Sequence, residues 1–247
     1  MKLQCSQSGF AGSVSVTEPA SSLVASQPRR ALWLAIETTL VTIAALAAIK
    51  ALNVQHAQAM RWVLIPGILV GVALIPTWMA KREFPRIGLN PKDARLALGT
   101  VCRVSVVIFP VVFLGLWILT RMGQSSPLQP AIAKQSDWAS WLVYQFLYVA
   151  VAEEVFFRGY VQANVTRLLA GRRWQSQAVQ QAIVLFLSAA CFAAAHVIVQ
   201  GRMIALVTFL PGLLLAWLFL RTRSLLASIV FHGLANVTYG IIALTLA

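Results

Sequence analysis

Charge is scarce in this chain, and acidic charge most of all. Asp and Glu together number 7 among 247 residues, against 20 Lys and Arg, and charged residues of every kind make up 11%. With 59% hydrophobic residues and a mean hydropathy of +0.77, that shortage excludes one water-soluble domain of this size. Cysteine is equally sparse. Cys5, Cys102 and Cys191 are widely separated, so neither a disulfide framework nor a metal knuckle is indicated. There is no HExxH pair and no GxSxG turn, which removes the standard zincin and the nucleophile elbow. No repeat of fixed period occurs. Residues 1 to 30, rich in Ser with Pro19 and Pro28, lack an apolar core and read as a disordered cytoplasmic tail.

Long apolar runs take the place of charge. Stretches of bilayer-spanning length, about 17 to 25 residues, fall near 31–49, 62–80, 97–120, 138–157, 178–198, 203–220 and 225–246. The expected fold is all-α, a polytopic transmembrane helical bundle of about seven spans, with residues 31–137 as amino-terminal membrane helices and 138–247 as a second unit. Pro66 and Pro76 are expected to bend the second span, and Pro110 to kink or shorten the third. Residues 121–137 are expected as an outside loop, and 159–177 as a stretch lying on the cytoplasmic leaflet.

A net charge of +13 raises the question of nucleic acid, yet the basic residues sit in short loops rather than on one face. With a cytoplasmic amino terminus, 13 Lys and Arg fall inside, among them Arg82, Arg167 and Arg223, and 5 fall outside. That bias follows the positive-inside rule. The partner implied is the lipid bilayer and not nucleic acid, and a bacterial inner membrane is the expected location.

Against this background Glu153 and Glu154 stand out, because a charged group near the bilayer centre costs about 2.5–3.5 kcal/mol on insertion scales. Glu154 and Arg158, four apart, share a helix face and can pair. Glu153 is rotated by about 100° and has no such local partner, as suits a general base. Two further apolar spans each carry one polar element: Phe192 with His196 after three alanines, and His232 with Asn236 four residues on. One shared site explains three costly insertions better than three separate packing roles. Glu153, His196 and His232 also have ligand types that suit a catalytic zinc, and a proton relay would use the same groups.

The order EExxxR, FxxxH, HxxxN, each in its own apolar span, resembles the CPBP family of intramembrane proteases, which includes the Ras-converting CAAX endopeptidase and bacteriocin-processing and immunity proteins. The resemblance covers roughly residues 140–240. It implies a glutamate-dependent endopeptidase acting on a membrane-associated protein or peptide, with 138–247 as the catalytic core. Glu153 would activate a water held with His196, and His232 and Asn236 would stabilise the oxyanion. Glu154, Arg158 and Phe192 would support them, and no metal is implied. The alternative within the family is a non-catalytic scaffold or immunity protein that binds a partner through the same cluster.

Overall fold

The computed structural model describes residues 20–55, 58–122, 137–170 and 176–245. Among the described residues seven helical rods follow one another: α1 (Ala20–Gln55), α2 (Gln58–Met79), α3 (Pro91–Arg121), α4 (Trp138–Leu169), α5 (Gln177–Gln200), α6 (Met203–Thr222) and α7 (Leu225–Thr245). Six have the length and apolarity to cross a membrane. α2 contributes a shorter apolar stretch, Val63–Met79. The bundle is thus the expected all-α, polytopic one, and the protein is an integral membrane protein.

Helix ends follow local chemistry. The Asn90 side chain accepts from the Asp93 N–H at 2.9 Å, with Pro91 opening α3, a position where its missing N–H costs nothing. Asp137 accepts from the Ala139 and Ser140 N–H groups at the start of α4. Hydrogen bonds from Ser140 hold its carboxyl below the usual carboxylate range. Gly201, at φ 68°, ends α5 in the left-handed conformation, which glycine adopts freely.

Three boundaries differ from expectation. α1 begins at Ala20, so the tail expected over 1–30 is helical from that point, while residues 1–19 lie outside the described residues. Pro110 does not shorten α3, which runs through it for 31 residues. The fourth span does not end at 157: α4 continues to Leu169, and Gly159–Asn164 are buried rather than lying on a leaflet. Most of their polar groups find partners in the protein, the Asn164 amide nitrogen excepted, which reduces the penalty that made a surface position attractive. Gln162 Nε2 donates to the Ala216 carbonyl at 3.0 Å, and Ser188 donates to Gln162 Oε1 at 3.2 Å. Asn164 Oδ1 accepts from Arg167 at 2.9 Å and from Arg82 at 3.3 Å, and Arg82 also pairs with Glu37 of α1. Of the outside loop expected over 121–137, residues 123–136 lie outside the described residues.

α4 is the central helix, packed against α1, α2, α5 and α7. Phe156, Phe157, Tyr160 and Val161 put it in the core. Between α2 and α3 the chain returns to the start of α7. There the Arg86 and Ile87 carbonyls accept the Leu225 and Leu226 N–H groups at 3.1 and 3.0 Å, satisfying donors that a helix start leaves open.

Candidate active site

Glu153 and Glu154 lie midway along α4, in a short α-helical piece (Val151–Glu154) between two wide π-type turns, Tyr144–Ala150 and Val155–Gln162. In each wide turn a backbone N–H reaches five residues back, Val151 to Phe146 and Ala163 to Arg158. Such turns are rare and recur at functional sites. The extra residue per turn changes which side chains share a face, so the positions flanking the carboxylates depart from plain α-helical spacing.

Three helices meet at one carboxylate oxygen. Glu153 Oε2 on α4 is 3.9 Å from His196 Nε2 on α5 and 3.9 Å from His232 Nε2 on α7. The Glu153 side chain keeps 21% of its surface exposed, while that oxygen is buried and has no hydrogen-bond partner. A gap of 3.9 Å exceeds a hydrogen bond and leaves room for a small polar group.

The far nitrogens of both imidazoles are anchored, and the anchors set the tautomers. His196 Nδ1 is 2.9 Å from the Phe192 carbonyl, an acceptor only, so Nδ1 carries the proton and neutral Nε2 presents a lone pair to Glu153. His232 Nδ1 is 2.8 Å from Glu154 Oε1, so it too donates. His232 Nε2 is therefore a donor only when the ring is the imidazolium.

Behind the histidines is a fully buried brace. Glu154 and Arg158 are both 0% exposed, with Glu154 Oε2 3.1 Å from Arg158 Nε. Arg158 Nη2 donates to the Gly212 carbonyl of α6 at 2.9 Å, and the guanidinium sits 4.7 Å from the Phe192 ring centre. Phe192 in turn contacts both imidazoles, 4.4 Å from His196 and 5.9 Å from His232 between ring centres. One aromatic ring thereby packs the histidine pair against the arginine.

Asn236, one turn beyond His232, is joined not to the carboxylates but to Gln145 of α4, its Nδ2 donating to Gln145 Oε1 at 3.0 Å. Gly233 allows this approach of α7 to α4, since a Cβ there would overlap the Phe146 ring. Gln145 and Gln162 are additions that the motif reading missed. Both are amides in an apolar helix, placed eight residues before Glu153 and eight after Glu154. That intramembrane polarity is the signal that marked the carboxylates, in weaker form.

A tetrahedral zinc with bonds of 2.0–2.2 Å separates its ligand atoms by about 3.4 Å, less than the 3.9 Å seen here. Among the described residues no three His, Cys, Asp or Glu side chains gather closely enough to hold a metal ion.

Residues 135–238, which contain every residue of this cluster, match the family model described as Type II CAAX prenyl endopeptidase Rce1-like. Neither a curated protein nor a solved structure matches the chain.

Proposed function

We propose that this chain, whose residues 135–238 match the CAAX prenyl endopeptidase family model, is an intramembrane endopeptidase in which Glu153 activates the attacking water. The observation that carries the reading is the placement of Glu153 Oε2 3.9 Å from both imidazole Nε2 atoms. A water between Glu153 and His196 donates one hydrogen to each, because both present acceptors. At about 2.8 Å from each it fits that gap. Glu153 takes its proton as the oxygen attacks the scissile carbonyl carbon, and passes that proton to the departing amine.

The tetrahedral oxyanion needs donors where its charge develops. His232 Nε2–H is one, in the imidazolium form. Glu154, itself paired with Arg158, gives that imidazolium a negative partner, much as a triad carboxylate supports its histidine. Asn236 supplies an amide N–H one turn along α7. The mechanism calls for no metal, and the wide ligand spacing supports that.

The family implies a membrane-associated protein substrate. The cluster lies among apolar helices, which supports entry of the substrate from the bilayer or its surface. The 13 to 5 distribution of basic residues supports a cytoplasmic amino terminus, and a bacterial inner membrane is the location this reading takes.

The test compares the terminal peptides of membrane proteins, by mass spectrometry, in cells making the native chain or Glu153→Gln at equal abundance. New termini made only by the native chain identify the substrate and the cut site. Identical profiles would reject proteolysis in favour of a scaffold or immunity role.

A further inference from the structure

Gln145 and Asn236 are 91 positions apart in sequence and 3.0 Å apart in space. In an unbroken α-helix two turns take about 7.2 residues, so a residue eight before Glu153 would be rotated off its face. The wide turn over Tyr144–Ala150 adds a residue, and two turns then take about eight. By that count Gln145 shares the side of α4 that carries Glu153, and it is there that it meets Asn236 of α7. A wide helical turn has an energetic cost, and here its effect is to bring an amide from α4 to the residue that follows His232 by one turn.

The direction of the bond matters. Gln145 Oε1 accepts, so Asn236 Nδ2 is the donor and its amide plane is set by Gln145. Nδ2 has two hydrogens, and with one held by Gln145 the other has a fixed direction. A free Asn amide has the opposite option of turning its oxygen to the site, where it would repel an oxyanion. We infer that Gln145 is a positioning residue for the reaction, holding the Asn236 amide with a hydrogen rather than its oxygen turned to the developing oxyanion. This rests on the proteolytic reading above.

The experiment uses the full chain in detergent with a fluorogenic farnesylated Cys-aliphatic-aliphatic-X peptide, and Glu153→Gln as the blank. Asn236→Ala should lower kcat about 10²-fold, the scale of one lost oxyanion donor. Gln145→Met should lower kcat about 10-fold or more with KM unchanged, as a misplaced group does. The double variant should fall no further than Asn236→Ala, because Gln145 acts only through that residue. Gln145→Glu, which keeps an acceptor oxygen at the same reach, should regain most of the loss. A double variant whose losses multiply would overturn the inference, as would a KM increase at unchanged kcat, the sign of direct substrate binding or simple helix packing. Should Gln145→Met not accumulate, Gln145→Glu decides alone: near-native kcat supports the role, and a loss equal to that of Asn236→Ala removes it. Native turnover with unaffected Gln145 variants sinks this inference only, whereas native turnover no higher than the Glu153→Gln blank, with the terminal-peptide profiles also identical, sinks the proteolytic reading with it.

Discussion

Replacing Arg158 with methionine keeps most of the side-chain stem and removes the guanidinium. Arg158 is wholly buried, 3.1 Å from Glu154, with a 2.9 Å hydrogen bond to Gly212 and its charge over Phe192. Breaking a buried ion pair from one side costs about 3–5 kcal/mol, because the remaining charge is left without a partner. The lost charged hydrogen bond and ring contact, about 1.5–3 and about 2 kcal/mol on their own, involve the same guanidinium and do not add in full. The expected loss for Arg158→Met is therefore about 3–5 kcal/mol. Adding Glu154→Gln should restore all but about 2 kcal/mol, since no charge is then stranded and the Gln carbonyl still accepts from His232 Nδ1. Activity should not return with stability, because His232 would have lost its charged partner. Unfolding free energies measured by steric trapping in bicelles, beside turnover, test both statements. A single-variant cost below about 1 kcal/mol, or a double variant no more stable than Arg158→Met, would mean that Glu154 and Arg158 do not depend on each other for burial.

Other substitutions probe the contacts around this brace. Gly233→Val should destabilise the bundle by about 1–3 kcal/mol through overlap with the Phe146 ring, and Phe146→Ala should relieve part of that; thermal midpoints of the two singles and the double decide it. Gln162→Leu removes the bonds to Ala216 and Ser188, and should cost about 1–3 kcal/mol with KM unaltered, read by the same assays. Asp137, whose carboxyl is held below the usual range by Ser140, stabilises the start of α4 while ionised. That contribution is present above its unfolded pKa and is lost as pH falls through the folded value, so the native thermal midpoint should be level from pH 5 to 8 and fall in stronger acid. Asp137→Asn, an uncharged cap, should lack that component of the acid response. Finally, prolonged EDTA treatment should leave proteolysis unchanged; a loss restored by zinc would replace the glutamate mechanism with a metal one.

Much of the bundle was legible in the linear chain because bilayer-length apolar runs and loop charges are local properties. The start of α1 and the end of α4 were not. Composition placed residues 159–177 on a leaflet because basic residues such as Arg167 alternate with Leu168 and Leu169 there, whereas Ala216, Ser188 and Arg82 accept from or donate to Gln162 and Asn164, and Arg167 reaches Asn164 and the Glu83 carbonyl. Those partners lie on other helices or in the connection between α2 and α3, out of reach of any window along the chain.

The same division runs through the site. The four-residue spacing of Glu154 and Arg158 pointed to their pairing, because i and i+4 adjoin on an α-helix, and the pair persists although Arg158 lies in a wide turn. The spacing of His232 and Asn236 likewise determined that they share a face. Which carboxylate the histidines address, which tautomer each holds, and that Gln145 meets Asn236 were decided by tertiary structure. Each depends on helices meeting side by side and on wide turns that break the 3.6-residue period. Local sequence set the residues on each helix, and only packing set the angle at which each helix presents them.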